Sequence, residues 1–204
     1  GVYIAGNGNN RLGRGIRFLT DVMTQIPSIV AGVFTFSIIF ELALAGFVSP
    51  RIVYSTISGT IALAVIIIPF VTRTTDEALR LVPKSTREAA LALGVPKYKV
   101  TLRVVLSSGS SALVTGVLLA IARAAGETAP LLLTDPGYFY GYAGLDQPTE
   151  SLTHTIYMFA LAPQPSLHQA AWGATLVLTG MVLLMSISTR FVFRRRFGSR
   201  GEGV

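Results

Sequence analysis

Residues 61–70 read Ile-Ala-Leu-Ala-Val-Ile-Ile-Ile-Pro-Phe, a run without a charged side chain. The apolar character continues outward over residues 52–71, with small and hydroxylated residues in the first half. A helix needs about 20 mainly apolar residues to cross the hydrocarbon core of a bilayer, and this stretch has that length. Small and hydroxylated side chains let helices approach closely, so we expect this helix to be packed inside a bundle.

Three further stretches have the length and composition of membrane spans, and they cover residues 22–46, 108–133 and 170–189. The 204-residue chain is 51% hydrophobic and only 13% charged, whereas soluble domains carry roughly 25% charged residues. The low charge fits a lipid environment. We therefore predict an all-α, polytopic membrane protein with four transmembrane helices in a single domain, residues 1–204.

The distribution of lysine and arginine predicts how the spans are oriented, because these residues accumulate on the cytoplasmic side. The long connection 134–169 has neither, but it contains Asp135, Asp146 and Glu150. We therefore predict that Lys84, Arg195 and both chain ends lie in the cytoplasm and that Asp146 lies outside. The basic residues that carry this prediction are Arg11, Arg14 and Arg17 before the first span, Arg73, Arg80, Lys84, Arg87, Lys97, Lys99 and Arg103 between the second and third, and Arg190, Arg194, Arg195, Arg196 and Arg200 in the tail.

The outer connection contains a short apolar segment, residues 151–162. It is too short to span a bilayer, so we expect an interfacial or re-entrant helix there. Pro163 and Pro165 should end it, because proline cannot continue a helix. The aromatic residues at 138–142 suit the membrane–water interface.

The connection between the second and third spans, residues 73–106, is too long for a simple turn. Thr75-Asp76-Glu77 predicts the start of a helix, because acidic residues favour the first helical turn. Val82-Pro83 should interrupt that helix. We therefore expect two short helices in this connection, separated at Pro83.

The second of these helices begins at Lys84. Ser85 and Glu88 have the spacing of a capping box, and Gly94, with Pro96 two residues later, predicts where the helix ends. The residues between, 89–93, are only alanine and leucine. A short helix with small side chains can dock in a groove of another protein.

Residues 88–94 read Glu-Ala-Ala-Leu-Ala-Leu-Gly, which is similar to the E-A-A-x-x-x-G signature of ABC importer permeases. Residues 27–34 (PSIVAGVF), 123–132 (RAAGETAPLL) and 151–157 (SLTHTIY) resemble the A-type permeases of phosphate-specific importers. The resemblance covers nearly the whole chain. It implies the type I ABC importer permease fold, with residues 73–106 as the coupling loop. Such permeases have six spans, so we expect about two spans to precede residue 1.

The resemblance also implies the partners. A homologous second permease, two ATP-binding subunits and an extracytoplasmic phosphate-binding protein would assemble with this chain in the bacterial cytoplasmic membrane. ATP and Mg²⁺ would bind to the partner subunits, so no cofactor, covalent chemistry or nucleic-acid partner is expected for this chain. The residues assigned to contact with the ATP-binding subunits are Glu88, Ala89, Ala90 and Gly94, and those assigned to the phosphate pathway are Arg123 and Glu127.

The chemistry of Arg123 and Glu127 by itself leaves two roles open. The residues are four apart and share a helical face, and a charged residue within a membrane span is costly and often functional. The planar guanidinium suits a phosphate oxyanion. The alternative is a structural salt bridge that ties helices together.

Other functions fit the residues less well. The chain has no cysteine, and its two histidines, His154 and His168, lie in or beside the outer connection, so thiolate metal sites are excluded and an intramembrane Ser–His protease is disfavoured. A phosphate-binding G-x-x-x-x-G-K-[ST] loop is absent from the sequence. A channel subunit would need polar pore rings and would not need the helical loop. A permease for molybdate or sulfate would share that loop and stays open.

Overall fold

The computed structural model describes residues 1–7, 10–138, 142 and 144–197, with the backbone alone at residue 7 and residues 189–197. Within these ranges every regular element is a helix, which confirms the all-α prediction. The 3-10 turn Pro50–Ile52 precedes the fourth helix, and Val100–Val105 of the sixth is π-helical. The helices are α1 (Val2–Asn7), α2 (Arg11–Gln25), α3 (Ser28–Leu44), α4 (Thr56–Arg80), α5 (Lys84–Ala92), α6 (Lys97–Ser108), α7 (Ser110–Ala125), α8 (Leu131–Thr134), α9 (Leu152–Leu161) and α10 (Pro165–Phe197).

Two of the described helices are long and apolar enough to cross a membrane, Thr56–Arg80 and Pro165–Ser188. Two helix pairs reach the same length and composition when each is counted as one bent span. These pairs are Arg11–Gln25 with Ser28–Leu44, and Lys97–Ser108 with Ser110–Ala125. The described helices thus allow between two and four spans, and the four predicted apolar stretches each fall on one of them.

Two predicted span boundaries are wrong. Residue 22 does not begin the first apolar helix, because Pro27 separates α2 from α3 and stands at the N-cap of α3. The third apolar helix ends at Ala125 rather than at residue 133. Gly126 weakens the helix there, and Pro130 disfavours helical backbone at the residue before it.

The predicted helix start at Thr75-Asp76-Glu77 is also wrong, because α4 continues without a break to Arg80. The acidic residues support the interior of the helix instead. Arg73 Nε lies 3.0 Å from Glu77 Oε1, and Arg80 Nε lies 3.2 Å from Asp76 Oδ2. Both pairs have the i,i+4 spacing that stabilises helices. The predicted break at Pro83 is confirmed, since α4 ends before it and α5 begins directly after it.

The capping box at the start of α5 does not form. Pro83 occupies the N-cap position, and no side chain caps this end. Ser85 lies inside the first turn, whereas the serine of a capping box has to be the N-cap residue itself. The predicted end of α5 is confirmed, and its geometry is described with the site.

The chain forms two compact units. The first contains Gly1–Gln25, Ile68–Ile121 and the chain from Ser186, and the second contains Ile26–Ile67 and Ala122–Met185. The core of the first unit is the cluster of Leu79, Val82, Val100 and Val105, which joins the end of α4 to α6. Partly buried side chains of α1, α5 and α7 pack around this cluster.

In the second unit the connection 134–169 is hydrogen-bonded to the start of α4. The backbone N–H groups of Ser55, Thr56 and Ile57 donate to the carbonyl oxygens of Thr134, Gln147 and Leu145 at 3.0–3.1 Å. The predicted helix within 151–162 is confirmed as α9, which ends at Leu161 before the two prolines. Its interfacial or re-entrant position stays a prediction.

Candidate functional site

Arg123 and Glu127 form an ion pair at the end of α7. Arg123 Nε lies 3.1 Å from Glu127 Oε1. Arg123 belongs to the last turn of the helix, whereas Glu127 stands in the turn that follows, where its N–H donates to the carbonyl oxygen of Ala124 at 3.2 Å. The two side chains meet, as the i,i+4 spacing indicates, but the predicted shared helical face is wrong because the helix ends at Ala125, before Glu127. Their role in transport stays a prediction.

The two partners differ in exposure. The side chain of Arg123 is 45% exposed, while that of Glu127 is 14% exposed. The carboxylate is therefore the fixed partner and the guanidinium the more accessible one. Because Arg123 directs its Nε–H edge at Glu127, the plane of its guanidinium is set by the carboxylate.

A second element positions Glu127, and the sequence reasoning missed it. The Thr153 hydroxyl, in the first turn of α9, donates to the main-chain oxygen of Glu127 at 3.3 Å. This turn is itself capped, since the Ser151 hydroxyl oxygen accepts from the N–H of His154 at 3.2 Å. A serine N-cap of this kind stabilises a helix by about 1 kcal/mol. The start of α9 is thus a firm support for the Glu127 turn.

Next to this support lies a largely buried polar cluster that the sequence reasoning also did not assign. His154 Nδ1 lies 2.9 Å from Glu150 Oε1, and the Thr155 hydroxyl donates to the same oxygen at 2.8 Å. Asp135 Oδ1 accepts from the N–H of Thr149 at 2.7 Å. The i,i+4 spacing of Glu150 and His154 was the available sequence signal, whereas the Asp135 contact joins residues far apart in the chain.

Burial raises the pKa of Asp135 above its ordinary value. The hydrogen bond from Thr149 opposes this rise, the nearby charge of Glu150 adds to it, and His154 opposes it. The carboxyl group belongs to the connection 134–169, directly after α8. Its hydrogen bond holds the main chain of Thr149 beside the end of α8, and so positions the residues that lead into α9.

The turn after Glu127 packs closely against α3. A Cβ atom added at Gly32 would lie 2.7 Å from the Cα atom of Pro130. Only glycine permits this approach of two backbones. Residues 126–130 are thereby held between α3 and the start of α9 within the same unit.

A second candidate site is the outward face of α5. At 100° per residue, the exposed residues fall on one side of the helix, and they are Lys84, Ser85, Glu88, Ala89, Leu91 and Ala92. This face carries small side chains, one leucine, one lysine at its start and a single carboxylate. Ala90 lies on the opposite side and packs against the core cluster of the first unit. The structure therefore places Glu88 and Ala89 where a partner could touch them, and Ala90 where it holds the helix in place.

Arg87 anchors the inner side of α5. In the sequence analysis it serves only as one of the basic residues that predict the orientation of the spans. Its Nη2 donates to the carbonyl oxygen of Leu79 at 2.6 Å, and its Nη1 donates to that of Ala5 at 3.3 Å. The last carbonyls of a helix lack partners within the helix and carry partial negative charge. Arg87 satisfies one of them at the end of α4 and ties α5 to α1 as well.

Gly94 ends α5 in the left-handed conformation, with φ +77°. Its N–H donates to the carbonyl oxygen of Leu91 at 2.9 Å, and the N–H of Val95 donates to that of Ala90 at 3.3 Å. These two bonds form a Schellman motif, which favours glycine at this position. A side chain added at Gly94 would meet nothing within 4 Å, so the requirement for glycine is conformational.

Among the described residues no group of three or more His, Asp or Glu side chains could hold a metal ion. Lys84 and Asp146 are both exposed, and the side to which each faces stays a prediction. The predictions for Arg194 and Arg195 fall outside the described side chains.

Comparison with known proteins gives consistent matches. Residues 1–197 match the family described as binding-protein-dependent transport system inner membrane component. The chain is 41% identical over 196 residues to the phosphate transport system permease protein PstA of Xylella fastidiosa (strain 9a5c). The aligned residues cover 96% of this chain and 66% of that protein.

Two further relatives have similar sequence identities to this chain. The PstA protein of Pasteurella multocida (strain Pm70) is 40% identical over 197 residues, covering 96% of this chain and 68% of that protein. The PstA 1 protein of Mycobacterium tuberculosis (strain H37Rv) is 38% identical over 201 residues, covering 96% of this chain and 62% of that protein. The chain thus spans about two thirds of the length of these relatives.

Proposed function

The chain belongs to the family of binding-protein-dependent transport system inner membrane components, and among them to the PstA permeases, and from this premise we propose that it carries inorganic phosphate across the cytoplasmic membrane. The family and the apolar helices make it a multi-pass inner membrane protein. The substrate, the partners and the orientation belong to the proposal. The observation that carries the proposal is the oriented, half-exposed Arg123 guanidinium beside Glu127.

Arg123 has the chemistry that phosphate requires. A guanidinium stays protonated at every physiological pH and presents a planar fork of donors that matches an oxyanion. Glu127 fixes the plane of this fork. Phosphate and the Glu127 carboxylate would compete for the same cation. Such competition weakens binding, which a transport pathway needs because the substrate must leave again.

The support around Glu127 suits this role. The Thr153 contact and the Gly32–Pro130 packing hold the turn from two sides. A site is most effective when its binding groups are fixed before the ligand arrives. The position of the guanidinium is then set by the protein rather than by the substrate.

Coupling to ATP would pass through α5. We assign Glu88 and Ala89 to contact with an ATP-binding subunit, and Gly94 to the shape of the loop. Arg87 and Ala90 link α5 to the carboxy-terminal end of α4 and to the core cluster. A displacement of α5 would therefore move α4 and α6 with it, because no flexible linker intervenes between Ala90 and that cluster.

The assembly in this proposal contains a second permease, two ATP-binding subunits that hold ATP and Mg²⁺, and an extracytoplasmic phosphate-binding protein. ATP hydrolysis takes place in the ATP-binding subunits, and this chain supplies the pathway. In this proposal both ends of the chain and Lys84 face the cytoplasm.

The test is uptake by the complete complex reconstituted into proteoliposomes. Radiolabelled phosphate, sulfate and molybdate are offered separately, each with its own binding protein, with and without ATP inside the vesicles. The proposal requires ATP-dependent accumulation of phosphate and none of the other two. Accumulation of sulfate or molybdate in place of phosphate would move the assignment to that oxyanion, and ATP-independent flux would indicate a channel.

A further inference from the structure

The helix α2 is amphipathic in the opposite sense to a helix on a water-soluble protein. Its inward stripe is polar or small, with Gly13 and Thr20 buried and Arg17 and Asp21 half-buried. The outward face is apolar and exposed, and it consists of Leu12, Ile16, Phe18, Leu19, Val22 and Met23. In water, such a face would be turned towards the core. Its exposure indicates contact with a surface that is itself apolar.

Ion pairs hold the polar stripe against α4. Arg17 Nη2 lies 3.2 Å from Asp76 Oδ2, and Arg73 Nη1 lies 3.7 Å from Asp21 Oδ1. Asp76 is buried between Arg17 and Arg80. The rotation of α2 about its axis is therefore fixed, and its apolar face is turned away from α4.

The position of these ion pairs along α4 sets the depth of α2. The apolar stretch of α4 ends at Val71. At 1.5 Å per residue, Arg73 and Asp76 lie about 3 and about 8 Å beyond it. A polar headgroup layer extends over a comparable distance outside the hydrocarbon core. The contacts with Arg73 and Asp76 thus hold α2 at the level of the lipid headgroups.

Length and charge agree with this depth. The helix has 15 residues, about 22 Å at 1.5 Å per residue, which is too short to cross a core of about 30 Å. Its amino-terminal end carries two exposed arginines, Arg11 and Arg14. A helix with one apolar face, one polar face and basic residues beside the apolar one is typical of helices that lie in the membrane interface.

We propose that α2 lies along the membrane surface at the basic end of α4. Its apolar face enters the boundary between headgroups and acyl chains, and Arg11 and Arg14 bind the headgroups of anionic lipids. Basic residues near a membrane surface are attracted to anionic headgroups. The lipid in contact with α2 should therefore be enriched in anionic species.

The chain has no cysteine, so single labels can be placed in the assembled transporter. Leu19→Cys carries a bimane label on the apolar face, and Asp146→Cys, at an exposed residue of the connection 134–169, is the control. The complex is placed in nanodiscs of phosphatidylcholine and phosphatidylglycerol, in which either lipid is brominated to the same bromine content. Iodide in the buffer reports exposure to water.

The Leu19→Cys label should be quenched by brominated lipid and protected from iodide, while the Asp146→Cys label behaves in the opposite way. Brominated phosphatidylglycerol should quench more strongly than brominated phosphatidylcholine. The Arg11→Gln, Arg14→Gln double variant should lose this difference but keep the lipid contact. Quenching of the Leu19→Cys label by iodide, or protection from both quenchers because a protein covers the face, would overturn the proposal. Equal quenching by both lipids would overturn the anionic preference. The readout does not depend on which substrate is transported.

Discussion

Gly94 is the position where the addition of a Cβ atom should interrupt coupling to the ATP-binding subunit. The residue has φ +77° and no neighbour within 4 Å of an added Cβ, so a substitution there changes backbone energy without a clash inside this chain. A residue with a Cβ pays about 1–2 kcal/mol in the left-handed region. A cost near 1 kcal/mol for Gly94→Ala, or about 2 kcal/mol for Gly94→Val, shifts the equilibrium away from the observed helix end by about fivefold or about thirtyfold.

Asparagine tolerates this conformation better than other residues with a Cβ. Binding to the ATP-binding subunit should therefore fall in the order Gly, Asn, Ala, Val. Copurification from detergent and ATP-driven phosphate uptake measure the effect, with membrane insertion unchanged. Substitution of Ala89 by a bulky residue should give the same loss, because that side chain stands on the exposed face of α5.

Gly46 provides a matched control. It also has φ +77° with nothing within 4 Å, and it follows α3 rather than α5, so Gly46→Val carries the same conformational cost at a position outside the coupling loop. Full complex formation and uptake in Gly94→Val would refute the reasoning. An equal loss in Gly46→Val would show that general destabilisation is the cause.

Three further outcomes are expected. Arg87→Gln should leave the ATP-binding subunits bound but reduce phosphate taken up per ATP hydrolysed, because α5 loses its tie to α4; Arg87→Lys should recover only part, and unchanged stoichiometry in both would contradict the link. Gly32→Ala should lower the thermal midpoint of the purified complex, since its Cβ would lie 2.7 Å from Pro130 Cα and overpacking costs about 1–3 kcal/mol; an unchanged midpoint would show that the turn can yield. Cysteine at Asp146 should react with an impermeant reagent added to intact cells and cysteine at Lys84 should not, and the reverse pattern would overturn the orientation.

Local features were predictable from the sequence because neighbouring residues determine them. The end of α5 at Gly94 depends on glycine in the left-handed conformation, and the Arg123–Glu127 pair depends on i,i+4 spacing. The helix start at Thr75 was predicted wrongly for a physical reason. Acidic residues favour the first turn of a helix, but they also stabilise the interior of a helix through i,i+4 ion pairs. In the structure α4 extends past the apolar stretch and is stabilised there by ion pairs.

The contacts that position the sites were not predictable, because they join distant parts of the chain. Arg87 bonds to Ala5, and Thr153 bonds to the main chain of Glu127. A single sequence contains no local signal for either contact, since main-chain oxygens accept from any donor. The inverted amphipathicity of α2 was visible as a periodic pattern, but the choice of inward face depends on its ion pairs with α4.

The central claim is that Arg123 acts on phosphate rather than on folding, and one double variant tests it most directly. Loss of one partner of a structural salt bridge leaves an unpaired charge, whereas replacement of both by neutral residues removes the penalty. Phosphate uptake is therefore measured for Arg123→Gln, Glu127→Leu in the complete complex, with binding of the ATP-binding subunits as the control for folding. We predict an assembled complex without phosphate uptake, because the cation that receives the substrate is gone. Substantial uptake by this variant would contradict a pathway role for Arg123 and identify the pair as structural.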